Sequence, residues 1–205
     1  MSNDELVSKL RRHGFVDDTL AAVFRSVDRQ DFVPDDMVRR AYDDEPLPIG
    51  ENQTISQPST VAFMLSLLGV AEGDNVLDVG CGSGYTTALL AEIVGDTGLV
   101  KGLEIRDSLV SFGRKNLDRY AYENAHVERA REGVLGDPNN TYDRVLVSAA
   151  ATKFLEVLLD QVRDKGVIVI PVKDEIWRVR RTAEEFEACS IDRYQGFRFV
   201  PLVTP

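Results

Sequence analysis

The chain has 205 residues and a formal net charge of −10 at pH 7, with 34 acidic and 24 basic side chains. This length suits one domain with a full hydrophobic core, and the acidity argues against a partner bound mainly through nucleic-acid phosphates. No apolar run approaches the length of a membrane span, and the first residues lack the basic and apolar regions of a signal peptide, so we predict a cytoplasmic protein.

The balance of residue types leaves one question open and excludes two kinds of site. Aspartate (20) exceeds glutamate (14) and arginine (18) exceeds lysine (6), which fits either a salt-adapted cell or ordinary acidic solubility. The cysteines are Cys81 and Cys189, and the histidines are His13 and His126, without the spacing of a zinc site. We therefore predict neither a disulfide framework nor a metal site.

The N-terminal region is predicted to form a helical cap followed by a loop. Apolar residues recur at helical spacing in residues 2–12 and 17–28. Residues 46–50, Pro-Leu-Pro-Ile-Gly, then indicate an extended, proline-stiffened approach to a loop at 53–58. A cap and loop thus occupy residues 1–58.

A helix is predicted at residues 60–68, with Pro58 tolerated in its first turn. Either Ser56 or Ser59 is expected to cap this helix, because serine hydroxyls accept hydrogen bonds from the free amides of a helix N-terminus. A capping Ser56 needs no other role, so two interpretations of this residue remain.

From residue 75 onward, strand and helix patterns alternate, which predicts an α/β fold with a doubly wound, Rossmann-like, mostly parallel sheet. Strand-rich sequence after residue 171 adds an antiparallel edge. The predicted strands are 76–80, 99–104, 126–130, 143–148, 166–171, 176–181, 186–191 and 197–202, and the predicted helices are 85–95, 108–120 and 154–163. In one domain, residues 1–205, a cofactor-binding core at 59–171 therefore precedes C-terminal strands at 172–205.

A glycine-rich turn between the first predicted strand of this core and the helix after it indicates a ligand site. The Gly-x-Gly-x-Gly spacing differs from the dinucleotide pattern, and Asp78 lies where it could face a sulfonium-bearing amino acid, so S-adenosylmethionine is the expected cofactor. The backbone that would approach the ligand comprises Gly80, Cys81, Gly82, Ser83 and Gly84.

Two further acidic residues follow strands of the core. Glu104 ends the second strand, 20 residues after Gly84, where a carboxylate accepts hydrogen bonds from ribose hydroxyls, and Ile105 follows it. Glu132 and Gly133 follow the third strand, where the adenine edge is expected. A solvated surface glutamate is the competing interpretation of Glu132.

The chain resembles the protein-L-isoaspartate O-methyltransferase family over nearly its whole length. The loop Gln-Thr-Ile-Ser-Gln-Pro at 53–58 is the most specific part of the resemblance, far more so than the glycine turn. The matching segments are residues 32–34, 41–44, 46–50, 53–58, 76–85, 142–145, 148–150 and 199–202.

The resemblance implies an enzyme that methylates the free carboxylate of L-isoaspartyl residues in damaged proteins and so initiates repair. It implies S-adenosylmethionine as cofactor and S-adenosylhomocysteine as product. Thr54 and Ile55 would lie over the cofactor, Ser56 would be the active-site residue, and Glu104 would bind ribose. An extended substrate segment is expected beside the strand end at Ser148 and Ala149.

Transfer to a carboxylate makes modest chemical demands. A carboxyl group with a pKa near ~4 is already ionised at pH 7, so no general base is required. Ser56 is then expected to orient the carboxylate and not to act as a nucleophile. The partner is an isoaspartyl polypeptide, with no nucleic acid and no membrane, and the oligomeric state is left open.

Three departures from the family pattern keep other functions open. Arg131-Glu132-Gly133 replaces Gly-Asp-Gly, Asp78 replaces a glutamate, and Ala151-Thr152 replaces the usual proline at a helix entry. The alternatives are a methyltransferase of the same fold with another substrate, and a non-catalytic S-adenosylmethionine-binding protein. The intact loop at 54–56 argues against the second alternative.

Overall fold

The computed structural model describes residues 1–182 and 185–203. Five α-helices and nine strands occur in these residues. The helices are α1 (Asn3–Arg12), α2 (Asp18–Ser26), α3 (Pro58–Leu68), α4 (Tyr85–Val94) and α5 (Asp107–Leu117). The strands are β1 (Leu47–Gly50), β2 (Gln53–Ile55), β3 (Asn75–Val79), β4 (Leu99–Glu104), β5 (Ala125–Arg129), β6 (Tyr142–Val147), β7 (Val162–Val172), β8 (Glu175–Arg180) and β9 (Ser190–Gln195).

The central sheet has seven strands in the order β5-β4-β3-β6-β7-β8-β9. Strands β5, β4, β3, β6 and β7 are parallel, whereas β8 and β9 are antiparallel. This confirms the predicted fold class, including the antiparallel edge. The strand order reverses between β3 and β6, and the crevice beyond the carboxyl ends of these strands is where open α/β sheets bind ligands.

Helices α1 and α2 form the predicted N-terminal cap. A capping box begins α1, because the Ser2 hydroxyl accepts from the Glu5 amide while the Glu5 carboxylate accepts from the Ser2 amide. Asp17 caps α2 by accepting from the Leu20 amide. Helix α2 ends at Ser26, and a 3₁₀ helix at Arg29–Phe32 follows it.

The approach at 46–50 and the loop at 53–58 are parts of one structure, a hairpin that the sequence did not reveal. Strand β1 pairs antiparallel with β2. The two residues between them, Glu51 and Asn52, both have left-handed φ values of 52° and 57°, as a tight hairpin turn requires. The hairpin places Ile49 against the glycine turn and presents Thr54 to the crevice.

The predicted serine cap of the third helix is wrong. Helix α3 starts at Pro58 with Gln57 as N-cap residue, and the Gln57 side chain makes no capping hydrogen bond. Its first turn is satisfied instead by the Asp44 carboxylate, which accepts from the Ser59 amide at 2.9 Å. An acidic side chain suits a helix N-terminus because of the positive end of the helix dipole. Ser56 therefore has no capping role.

The predicted helix at 154–163 is also wrong. A 3₁₀ helix occupies Glu156–Gln161, and β7 already begins at Val162. Gln161 is fully buried; its side chain donates to the Leu135 and Val157 carbonyls and accepts from the Asp137 amide. These hydrogen bonds fix Gln161 where the 3₁₀ helix ends, and they outweigh the local propensity to continue as a helix.

Two predicted C-terminal strands differ from the structure. At 186–191 a 3₁₀ helix, Phe186–Ala188, comes first, and only β9 from Ser190 onward is a strand. Residues 197–202 form no strand, and Pro201 makes one isolated bridge with Ala150. Proline lacks the amide that a sheet ladder needs, which limits pairing there.

None of the helices in the described ranges is both long enough and apolar enough to span a membrane.

Tyr120, just beyond α5, connects the cap to the core. Its hydroxyl donates to the Asp31 carboxylate at 2.8 Å and accepts from the Asp28 amide at 2.9 Å. We expect Tyr120→Phe to lower the free energy of unfolding by roughly 1–3 kcal/mol, because a partly buried amide loses its acceptor. Chemical denaturation measures this. The matched control is Tyr122→Phe, since Tyr122 bonds only to the exposed side chain of Glu92; an equal loss in both variants would contradict the assignment.

Candidate active site

Two cavities meet at the carboxyl ends of β3 and β6. The main cavity is bordered by Gly80 and Gly82 of the glycine turn, by Glu104, and by C-terminal residues 200–203. The outer cleft is bordered by Ser56 and Gln57 on one side and by residues 196–200 on the other.

The glycine turn is packed so closely that two of its positions exclude larger residues. A β-carbon on Gly82, whose φ is +53°, would lie 3.1 Å from Ile49 Cδ1. One on Gly84, whose φ is +82°, would lie 3.2 Å from the Gly113 carbonyl oxygen of α5. Gly80 and Gly82 of this turn border the main cavity with no side chain of their own, as a ligand cradle requires.

Glu104 is almost fully buried at the edge of the main cavity. Its Oε1 accepts from the amides of Ile105 at 2.7 Å and Arg106 at 2.9 Å, and its Oε2 accepts from the Gly82 amide at 3.0 Å. A carboxylate has about four lone-pair positions. One lone pair of Oε2 therefore accepts no hydrogen bond from the described residues and is available to a ligand. A ligand with two hydroxyls would need to share or displace one of these amide bonds.

Thr54 and Ser148 border both the main cavity and the outer cleft. Ser56 borders the outer cleft but not the main cavity, and no hydrogen bond to its hydroxyl occurs within residues 1–182 and 185–203. The sequence marked Ser56 as the central residue of the loop. The two cavities share Thr54, Ser148 and Val200, and Ser56 borders a smaller pocket together with Gly80 and Gly82.

The remaining predicted residues of the glycine turn and the loop do not border the main cavity but line a smaller pocket between these two segments. Ile55, Cys81 and Ser83 are buried, and the Ser83 carbonyl accepts from the Asn116 side chain at 2.9 Å. Burial raises the pKa of the Cys81 thiol. Ile105 and Ala149 border the main cavity. Ala149, which the sequence predicts as a substrate contact, does not border the outer cleft.

Comparison with known proteins decides the family. The family model for protein-L-isoaspartate(D-aspartate) O-methyltransferase matches residues 1–205. The chain belongs to this family. The match confirms the enzyme class predicted from the sequence, an S-adenosylmethionine-dependent protein carboxyl O-methyltransferase.

Individual relatives agree. A protein-L-isoaspartate O-methyltransferase of Methanopyrus kandleri is 40% identical over 98% of this chain and 91% of its own length. One from Petrotoga mobilis is 39% identical over 95% and 92%. A Plasmodium falciparum structure described as this enzyme with S-adenosyl-L-homocysteine has a TM-score of 0.85 at 24% identity and full coverage of both chains, which supports the fold.

Glu132 and Gly133, where the family has Asp-Gly, do not reach the main cavity. The Glu132 side chain is 81% exposed and pairs with Arg129 at 3.5 Å, and both residues border a separate surface depression. The main cavity is instead bordered at this end by Ala130, Val134 and Leu135. Val134 and Leu135 are adjacent apolar residues, and this pair was the signal in the sequence for the wall of the main cavity. The sequence analysis did not identify them as site residues.

Asp78, where the family has glutamate, is fully buried and does not border the main cavity. Its Oδ2 accepts from the hydroxyls of Thr86 at 2.6 Å and Thr87 at 2.8 Å, and its Oδ1 lies 3.4 Å from the Ser148 hydroxyl. Burial raises the pKa of Asp78 to about 6, although these hydroxyls oppose the shift. Asp78 therefore approaches the site through Ser148.

The described residues contain no group of three or more potential metal ligands.

Asp78→Asn tests this account through the pH dependence of stability. A carboxyl group whose pKa is raised on folding contributes stability below its ordinary value of 3.8, and this contribution is lost as the pH rises through about 6. The asparagine side chain does not ionise, so the variant does not lose this stability as the pH rises. We expect its stability relative to wild type to increase between pH 4 and pH 7, by up to ~3 kcal/mol.

Denaturation by urea at several pH values measures this difference. Asn keeps an acceptor for the two threonine hydroxyls and can donate to Ser148. Asp96→Asn, at an exposed position between α4 and β4, is the control. A stability difference at Asp78 that stays constant from pH 4 to pH 7 would refute a raised pKa.

Proposed function

We propose that this chain transfers the methyl group of S-adenosylmethionine to the free carboxylate of L-isoaspartyl residues in damaged polypeptides. The observation that carries this proposal is the contact of the two cavities at Thr54 and Ser148. Cofactor and substrate carboxylate can meet there from opposite sides. The ester formed would then cyclise to a succinimide, as the family resemblance implies, and so begin repair.

The main cavity has the chemistry that S-adenosylmethionine needs. The Gly82 turn offers a backbone surface, Glu104 offers the remaining lone pair of its carboxylate to the ribose, and Ile105, Val134 and Leu135 offer an apolar surface to the adenine. The cofactor supplies the electrophilic methyl group. The backbone turn and the carboxylate of this chain bind and orient it.

The outer cleft suits an ionised carboxylate that needs no activation. Hydroxyl groups of Thr54, Ser56 and Ser148 border the cleft, and neither histidine of the chain does. The substrate carboxylate is already deprotonated at pH 7, so these hydroxyls can orient it by hydrogen bonds. Correct orientation at a short distance supplies much of the acceleration such a reaction requires.

The sequence predicts an extended substrate segment beside residues 148–150, but Ala150 is already paired with another part of the chain. The Ala150 amide donates to the Val200 carbonyl and the Ala150 carbonyl accepts from the Leu202 amide, both at 2.8 Å. The C-terminal segment already pairs with this edge. The polypeptide would therefore enter over Phe197 and Arg198, which border the cleft.

The absence of nucleic-acid and membrane partners stays a prediction, and so does the cytoplasmic location.

The direct test is methyl transfer from labelled S-adenosylmethionine to a flexible peptide containing L-isoaspartate, read as methanol released by base. The control is the same peptide with normal aspartate. Transfer to the isoaspartyl peptide alone supports the proposal. Binding of S-adenosylhomocysteine by calorimetry without transfer to either peptide would favour another substrate or a binding protein.

Glu104→Ala tests the ribose contact. We expect S-adenosylhomocysteine to bind on the order of 10- to 100-fold more weakly, because charge-assisted hydrogen bonds are lost. Glu104→Gln, which keeps one acceptor oxygen, should be intermediate. The control is Glu132→Gln at the exposed position, for which we expect unchanged affinity. Calorimetry measures all three; normal binding by folded Glu104→Ala would refute the contact.

Ser56→Ala tests orientation of the substrate. We expect kcat for isoaspartyl peptide to fall roughly 10- to 1000-fold, as for loss of a positioning hydrogen bond. Cofactor affinity and melting temperature should hardly change, because Ser56 does not border the main cavity and caps no helix. Ser66→Ala on the exposed part of α3 is the control. A wild-type kcat in Ser56→Ala would remove this serine from the mechanism.

A further inference from the structure

Arg29 is a fully buried arginine outside both cavities. It begins the 3₁₀ helix at Arg29–Phe32 and has no accessible surface. A buried guanidinium is costly, and a well-packed apolar side chain is often at least as stabilising in such a place. Packing alone therefore does not account for an arginine here.

The guanidinium of Arg29 is directed at backbone carbonyls from two segments. Its Nη1 donates to the carbonyls of Ala41 at 2.5 Å and Asp43 at 3.4 Å. Its Nη2 donates to the carbonyls of Glu45 at 3.2 Å and Ser56 at 3.0 Å. The two nitrogens thus connect residues 41–45 to the peptide of Ser56, a residue that borders the outer cleft.

A second connection lies three residues further along. The Asp44 carboxylate accepts from the Ser59 amide at 2.9 Å, and the same carboxylate lies 3.5 Å from the Lys9 ammonium of α1. The short segment from Ser56 to Ser59 is therefore held at its start by Arg29 and at its end by Asp44. Both attachments run through residues 41–45.

We propose that Arg29 is a positioning residue for methyl transfer, which fixes the Ser56 peptide so that its hydroxyl faces the substrate carboxylate. This inference rests on the proposed function. A rigid carbonyl anchor limits the backbone rotations that would move the hydroxyl, and a displacement of about 1 Å can cost 100-fold in rate. Asp44 completes the attachment without contacting Arg29.

Arg29→Lys is the informative substitution. Lysine keeps the positive charge, but its single ammonium group cannot reproduce the fork that spans two segments. We expect kcat for isoaspartyl peptide to fall about 10- to 100-fold, with the peptide KM and the affinity for S-adenosylhomocysteine changed less than about 3-fold. Assays run well below the melting temperature of each variant separate rate from unfolding.

The matched control is Arg25→Lys on α2, where an exposed arginine pairs with Asp4 at 3.1 Å. We expect its kcat to equal that of wild type. A folded Arg29→Lys with wild-type kcat would overturn the proposal. A parallel loss of kcat and S-adenosylhomocysteine affinity would also overturn it, since that indicates general damage to the fold.

A measurement on the wild-type protein covers the case in which Arg29→Lys does not fold. Held by four carbonyls, the Arg29 Nη protons should give separate resonances in slow exchange by nuclear magnetic resonance. A single averaged resonance would overturn the proposal. Wild-type protein that does not methylate isoaspartyl peptide, yet shows separate Nη resonances, would contradict the proposed function and leave the Ser56 anchor intact as a structural finding.

Discussion

The close approach of three elements to one glycine turn is the constraint on which the rest of the site depends. The hairpin reaches the turn through Ile49, helix α5 reaches it through Gly113, and β4 contributes Gly102, where a β-carbon would lie 3.1 Å from the Cys81 sulfur. A side chain at Gly102 or Gly113 would separate the layers. With no such side chain, a backbone-lined cavity and the loop that covers it form next to one another.

The two buried carboxylates of the site are stabilised in different ways, and this difference assigns them different tasks. Glu104 accepts three backbone amides, which are fixed donors, and still borders the main cavity. Asp78 depends on side-chain hydroxyls and lies behind Ser148, and its pKa is raised by burial. Glu104 therefore suits direct ligand binding, whereas Asp78 suits the orientation of Ser148 and of the first turn of α4.

The N-terminal region contributes to the site through anchoring more than through chemistry. Arg29 and Asp44 hold the segment from Ser56 to Ser59, and Tyr120 holds the cap against α5. Transfer of a methyl group to an ionised carboxylate needs alignment and little else from the protein. A cap that fixes one short loop is consistent with that requirement, and it explains why the outer cleft shows hydroxyls and no general base.

The sequence by itself determined the parallel strands of the sheet, the glycine turn, the position of Glu104 at a strand end and the family, because each depends on a local pattern or on residues that follow a strand end. Only the tertiary structure decided the position of Glu132 in solvent, the pairing of residues 46–50 with the loop, and the role of Asp44 in place of a serine cap. It also ended the helical turn before Val162, where Gln161 bonds to a distant loop. These outcomes depend on partners far apart in the chain, whose hydrogen bonds and burial outweigh local propensity once the layers pack.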